Sequence, residues 1–283
     1  MPVIATNTAA NTALTYLNRN SEDQAKSLAK LSSGSRIVSA SDDAAGLAVA
    51  SRLQADITTL QQASRNALQG RAVLQTADGA LARVGDILQR MKSLVAQSLS
   101  GSVDNTSRGF INQEFQQLIQ EIQAISDQTE FNGTNLINGT FNPLSGTFLV
   151  GVDSDDTIEV DLANVDIDID NLGNDGGFDP FFDSISVDDI PNTQAAATSV
   201  DIAIDQVSSF RATVGSYISR FEYRGEYIQT AIENLSAARS SIMDVDIAAE
   251  QTNLVNKQVL TEASIAALAQ ANESKRSLLQ LLR

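Results

Sequence analysis

Between residues 200 and 242 an apolar side chain returns every seven positions without a miss: Val200, Val207, Val214, Phe221, Ile228, Leu235 and Ile242. Apolar residues make up 42% of the chain. At that density, seven hits in one fixed register arise by chance in roughly 0.2% of cases, so the series is a signal. Ala203, Phe210, Tyr217, Ala231 and Ala238 fill the alternate positions, and Arg224 is the one interruption. The spacing predicts a coiled-coil seam on a helix about 65 Å long.

A matching series occupies the first half of the chain. Leu53, Leu60, Ala67, Leu74, Leu81, Leu88 and Val95 repeat at the same interval, with Ala63, Gly70, Ala77, Val84 and Met91 three residues on. Small residues at such positions let a partner helix approach closely. Neither seam is stable alone in water, so Leu60, Leu74, Leu81 and Leu88 are predicted to close on Val214, Phe221, Ile228 and Leu235 within one chain. Ile111, Phe115, Leu118, Ile122 and Ile125 mark a shorter third helix, set off from the one before it by the helix-breaking SLSGSVDNTSRG. The predicted fold class is mainly α: long antiparallel helices forming a discontinuous helical bundle or coiled coil from both chain ends, with a small β-hairpin region.

Proline stands only at positions 2, 143, 180 and 191, which leaves a proline-free tract on each side of a Gly- and Asp-rich middle. In that middle FNGTNLINGT, GTFLVGV, DTIEVDL and VDIDIDN join turn residues to short apolar alternation and are predicted to be small hairpins. Asn132-Gly133-Thr134 and Asn138-Gly139-Thr140 fit an Asn-x-Thr glycosylation pattern but read better as tight turns, because Asn-Gly favours positive backbone angles.

Past Ile242 the strict register fails, since the next positions in phase are Ala249, Asn256, Ala263 and Gln270. ASIAALAQAN (263–272) is uncharged and strongly helix-forming, so a helix there presents small or apolar groups on most of its circumference. The N-terminal end has the same character. Two such helices bury each other on one face only, and further copies of the chain are the simplest source of the missing surface. The residues expected to make those subunit contacts are Ile4, Leu14, Leu17, Leu28, Leu31, Leu254, Ile265, Leu268, Leu279 and Leu282. Before assembly these ends are expected to be largely unordered, because little apolar area offsets the entropy of ordering them.

Composition narrows the function. The chain has no Cys, His or Trp and 5% aromatic residues. The commonest general base and metal ligand are therefore missing, which points away from an enzyme and from any cofactor. Net charge is −16, and from Phe141 to Asn192 there are thirteen acidic residues and no basic one. That balance argues against a nucleic-acid partner. No apolar run is long enough to insert in a membrane, and no cleaved secretory signal is expected at the N-terminus. Asp166, Asp168 and Asp170 invite a calcium reading, but loop position six is Asn171 where Gly is required and position twelve is Gly177 where Glu is required, so a solvated acidic loop is expected.

LAKLSSGSRIVSASDDAAGLAVASRL (28–53), QQASRNALQGRAVLQTADGALARVGDILQRMKSLVAQ (61–97), FNGTNLING from Phe131, NLSAARSSIMDVDIAAE (234–250) and the terminal LAQANESKRSLLQLLR together resemble the bacterial flagellins. The resemblance covers about residues 1–140 and 194–283. It implies an extracellular, self-assembling filament subunit that serves motility, exported unfolded through a type III apparatus, with no enzymatic activity. It also implies four regions. Residues 1–33 with 248–283 form an inner terminal-helix coiled coil, 34–47 a linker, 48–140 with 194–247 a long-helix bundle, and 141–193 an acidic variable segment. A hook-filament junction protein is the alternative within the structural class. An enzyme-bearing flagellin of the zincin type is excluded by the lack of His.

The resemblance assigns further roles. Ser41, Asp42, Asp43 and Gly46 belong to the linker, where Ser41 or Asp42 is also expected to N-cap the next helix. Gln89, Arg90, Leu94 and Glu114 fall on an axial subunit contact that overlaps the surface read by an innate immune (toll-like) receptor. Met91, Lys92, Ser93 and Val95-Ala96 depart from the receptor-positive pattern. Implied partners are identical subunits in a homo-polymer, an export chaperone on the C-terminal segment, the filament cap and the hook-junction proteins.

Overall fold

The structure is a computed structural model that describes residues 6–141, 146–173 and 185–281, with side chains to residue 277. Its elements run α1 (Thr8–Ser33), α2 (Ala44–Ser98), α3 (Asn105–Gln128), β1 (Glu130–Phe131), β2 (Thr134–Asn135), β3 (Thr147–Leu149), β4 (Thr157–Glu159), α4 (Ile190–Met243) and α5 (Ile247–Leu281). Each helix starts on an Asn or Asp whose side chain accepts the N–H three residues on. The pairs are Asn7 with Ala10, Asp43 with Gly46, Asp104 with Ser107, Asp189 with Asn192 and Asp246 with Ala249, at 2.9–3.3 Å. An Asx side chain there satisfies one of the four N–H groups that a helix leaves open. At the other end of α1, Gly34 adopts φ +69°, the left-handed conformation that stops a helix and that glycine enters without strain.

The chain divides into two compact units, residues 1–57 with 233–283 and residues 58–232, with the boundaries falling inside α2 and α4. The 34–47 stretch, expected as a separate linker, groups with the end helices in the first unit, and the acidic middle lies in the second.

In the long-helix unit α2 and α4 are antiparallel, as three ion pairs read off in descending register: Arg71–Glu222 (3.8 Å), Asp78–Arg211 (3.0 Å) and Lys92–Asp201 (2.6 Å). Asp78 holds the Arg211 guanidinium charged by raising its pKa further. The predicted seam is buried from Leu60 to Val95 on α2, and on α4 its seven-residue series is buried from Val200 to Ile228, while the alternate positions Phe210 and Tyr217 and the flanking Leu53, Leu235 and Ile242 are only half-buried. At Gly70 the missing Cβ leaves room for the Phe221 ring, which occupies the space a Cβ would take. On α3 the buried row is Ile111, Phe115, Ile119 and Ile122. This corrects the predicted row, since Leu118 and Ile125 are half-buried and Ile119 replaces them inside.

The middle of the chain carries two antiparallel pairs, β1 with β2 and β3 with β4. Asn132 (φ +51°) and Gly133 (φ +76°) form the two-residue turn of the first, as the Asn-Gly pattern predicts. VDIDIDN forms no hairpin. It touches the sheet region through one isolated bridge, Asn138 with Asp166, and then folds as a chain of Asx turns in which Asp166 accepts the N–H of Asp168 and Asp168 that of Asp170. Its carboxylates are committed to backbone N–H groups, the local competition that keeps Asp-rich sequence out of strands.

Two α2 glycines give opposite expectations. Gly70→Val places atoms where the Phe221 ring lies, at 2.7 Å from the new Cβ. It should destabilise the long-helix unit by about 1–3 kcal/mol through overpacking. Gly79 has open space around it, so Gly79→Ala should stabilise by about 0.5–1 kcal/mol through helix propensity alone. Thermal unfolding of the two variants checks both signs.

Candidate assembly interface

The first unit is built on α1 packed antiparallel against α5. Asn7 donates to the Ala271 carbonyl (3.1 Å), Asn20 to the Ser264 hydroxyl (3.4 Å) and Lys257 to Asp23 (2.8 Å), so the residue numbers run in opposite senses along the pair. A row of half-buried positions on α1 steps by three and four through Ala10, Ala13, Leu17, Asn20, Gln24 and Leu31, flanked by half-buried Asp23 and Lys30, with Ser27 the single buried residue of the helix. Those of α5 do the same: Leu254, Lys257, Thr261, Ser264, Leu268 and Ala271. The intrachain seam is thus made of small and polar residues with four leucines.

Other large apolar side chains of the two helices stay exposed. Leu14, Tyr16, Leu28, Val255, Val259, Leu260 and Ile265 are 45–58% exposed. The ten residues predicted for subunit contact therefore separate. Leu14, Leu28 and Ile265 lie on the uncovered face, whereas Leu17, Leu31, Leu254 and Leu268 sit half-buried between α1 and α5, since a seam helix must spend one stripe on its own partner. Ile4 and Leu282 lie outside the described residues, and the Leu279 side chain does too.

Where α1 ends, a backbone clasp ties the two chain ends together. Arg36 donates to the Met243 carbonyl (2.6 Å), Val245 to that of Gly34 (3.1 Å), and the Ser35 hydroxyl reaches the Met243 carbonyl (3.1 Å). The next turn is closed by Asp42, whose Oδ2 accepts the N–H groups of Ser39 (2.9 Å) and Val38 (3.1 Å). Those two bonds hold its carboxyl below the usual range. Asp43, not Ser41 or Asp42, caps α2: it is the residue immediately before Ala44, while Asp42 is spent on the preceding turn and the Ser41 hydroxyl bonds Ser39. Gly46 leaves room for that cap, because a Cβ there would meet the Asp43 carboxylate and the buried Ile37 side chain.

On the long-helix unit Arg90 binds Glu114 through Nε (2.8 Å) and Nη2 (2.6 Å), and Gln89 is exposed. Leu94 is not part of that surface. It is 1% exposed, because α2 faces both α3 and α4 and its apolar stripe is wide enough to take in Leu94 beside Met91 and Val95. Lys92, one of the positions that depart from the receptor pattern, is engaged by Asp201 on α4.

Two polar clusters had no signal in the spacing. Ser98, Arg108 and Thr193 are buried together. Ser98 donates to the Val187 carbonyl (2.8 Å), Arg108 Nε to that of Ser98 (2.9 Å), and the hydroxyls of Ser98 and Thr193 are 3.2 Å apart. Arg224, the break in the α4 series, fills its place with hydrogen bonds to the Val150 carbonyl and Asp156, both 2.9 Å, and lies over the Tyr227 ring. It pins the β3–β4 pair to α4. Among the described residues no group of three or more acidic side chains converges as a metal site requires, and no helix is long and apolar enough to cross a membrane.

Comparison with known proteins converges on one family. The profile described as the bacterial flagellin N-terminal helical region matches residues 4–142, and that of the bacterial flagellin C-terminal helical region matches residues 197–282. A flagellin of Halalkalibacterium halodurans is 40% identical over 91% of both chains, and one of Bacillus subtilis is 38% identical over 98% of both. The flagellar filament 30.7 kDa core protein of Treponema maltophilum is 36% identical over 94% of this chain and 96% of its own.

The clasp and the helix pair are open to test. Asp43→Ala should cost about 1 kcal/mol through the lost cap, and thermal unfolding monitored by circular dichroism measures it. Lys257 lowers the pKa of Asp23, chiefly by the hydrogen bond to its carboxylate. The folded value lies below the unfolded one, so this stabilisation is present above the unfolded pKa and is lost as pH falls through the folded pKa. In Lys257→Met the Asp23 carboxyl should titrate at higher pH, and an NMR carboxyl titration in which its midpoint stays put would contradict the pairing.

Proposed function

Because this chain belongs to the bacterial flagellins, we propose that its end helices are the part that converts a folded subunit into a filament. The protein is a structural subunit that polymerises with copies of itself into the extracellular flagellar filament used for motility. The observation that carries the proposal is the set of large apolar side chains left exposed around α1 and α5: Leu14, Tyr16, Leu28, Val255, Val259, Leu260 and Ile265. Exposed apolar side chains distributed around a helix pair in an otherwise acidic chain need a cover. Neighbouring end helices of the same kind supply one, with the seam leucines Leu17, Leu31, Leu254 and Leu268 holding each pair together beneath it.

The remaining roles are those that the family resemblance implies. Residues 34–47 with Ser41, Asp42, Asp43 and Gly46 form a capped linker that fixes how the chain leaves α1 and enters α2. Gln89, Arg90 and Glu114 make an axial subunit contact, with Leu94 supporting it from inside, and innate-receptor reading is disfavoured because Met91, Lys92, Ser93 and Val95-Ala96 depart from the receptor-positive pattern. Before assembly the open face of α5 needs masking, which is the role of an export chaperone that binds the C-terminal segment. The filament cap and hook-junction proteins meet the same face at the two ends of the polymer. Export runs through the flagellar type III apparatus.

Deleting residues 248–283 should leave a soluble helical monomer that does not polymerise. Normal filaments from that truncation, seen by electron microscopy, would contradict the proposal. Val259→Asp with Ile265→Asp is the finer test: polymerisation should be lost while the melting of the long-helix unit stays within about 0.5 kcal/mol, as expected of exposed sites.

A further inference from the structure

The sequence contains two Asn-Gly pairs, Asn132-Gly133 and Asn138-Gly139, and the fold treats them differently. Glycine after asparagine leaves the following backbone nitrogen unshielded by any Cβ, so that nitrogen can reach the asparagine side chain. We propose that Asn132 is a site of spontaneous, enzyme-free deamidation, while Asn138 is protected by its surroundings. The Gly133 nitrogen gives up its proton and forms a bond to Cγ of Asn132. The Cγ–Nδ2 bond breaks, ammonia leaves, and a five-membered succinimide results. Water then opens the ring at either carbonyl, giving an aspartate or an isoaspartate at position 132, with no change in oxidation state.

Asn132 is open to this reaction on every count. Residues 132 and 133 are both exposed, nothing lies within 4 Å of the Cβ position of Gly133, and no hydrogen bond among the described residues engages the Asn132 side chain or the Gly133 N–H. Asn132 sits at φ +51°, a conformation that costs a non-glycine residue energy and is relieved when the turn opens. The strands that hold the turn are two residues each, so local opening is cheap.

Asn138 meets the opposite conditions. Its Oδ1 accepts from the Thr140 N–H (3.2 Å) and hydroxyl (2.6 Å), which fixes the carbonyl that must be attacked. The attacking nitrogen, Gly139 N, is already donating to the Val165 carbonyl (3.3 Å). The Asp166 carboxylate lies where a Gly139 Cβ would be and crowds the approach. Conversion at position 132 has a structural consequence: it adds a negative charge at the rim of a cavity of about 280 Å³ walled by Phe131, Phe141 and Phe148. In the isoaspartyl product an extra backbone carbon enters the two-residue turn, which then no longer closes β1 on β2.

The test is to hold the soluble full-length chain in mildly alkaline buffer and follow both asparagines by peptide mapping, with fragmentation that separates isoaspartate from aspartate. Position 132 should run ahead of position 138 by roughly tenfold or more, the scale set by two or three hydrogen bonds that must first be broken at the second site. Thr140→Val should speed conversion at 138 and leave 132 unchanged. Equal rates at the two sites, a faster 138, or no conversion at 132 while a free Asn-Gly peptide converts fully would each overturn the proposal.

Discussion

Helices of 26 and 35 residues meet each other through Ala10, Ala13, Leu17, Asn20, Gln24, Ser27 and Leu31 on one side and Leu254, Lys257, Thr261, Ser264, Leu268 and Ala271 on the other. That seam buries one residue fully, a serine. Helices in proteins draw most of their stability from tertiary packing of an apolar face, and here four leucines enter the seam while Leu14, Leu28, Val255, Val259, Leu260 and Ile265 stay exposed. The rest of the molecule is arranged around this deficit. A clasp at residues 34–37 and 243–245 joins the chain ends by backbone hydrogen bonds, which do not need apolar area. On the proposed reading the covering surface comes from other subunits, and association would then be coupled to the ordering of the ends.

The long-helix unit has the opposite economy. Its seams are buried along most of their length, Gly70 admits the Phe221 ring, and Phe148 of β3 meets that ring edge-on at 5.5 Å. Arg224 fastens the same hairpin from the other side. This unit folds on interactions within one chain and carries 24 acidic against nine basic residues.

Much of this was legible because a seven-residue repeat reports directly on which helix face is apolar. Leu60 to Leu88 and Val214 to Ile228 are buried as their spacing predicts. The repeat does not report how many neighbours a helix has. Leu94 lies inside because α2 serves two partners, a fact outside its own sequence. On α3 the rows through Leu118 and through Ile119 fit a 3.6-residue turn equally well, and only the position of α2 selects the second. Arg224 interrupts the seam pattern, and nothing in α4 announces the Val150 carbonyl it binds. Among the linker carboxylates, Asp42 and Asp43 are equivalent by type and differ only in which N–H groups the turn directs at each.

The central claim is that the α1–α5 pair lacks the buried area to stand alone and gains it from neighbouring subunits. Hydrogen–deuterium exchange on the same full-length chain, as monomer and as assembled filament, tests it most directly. The account predicts that in monomers amides of residues 8–33 and 247–281 exchange far faster than those of residues 60–95 and 200–228, and that assembly brings the two sets to comparable protection. End-helix amides as protected in the monomer as in the filament would contradict it.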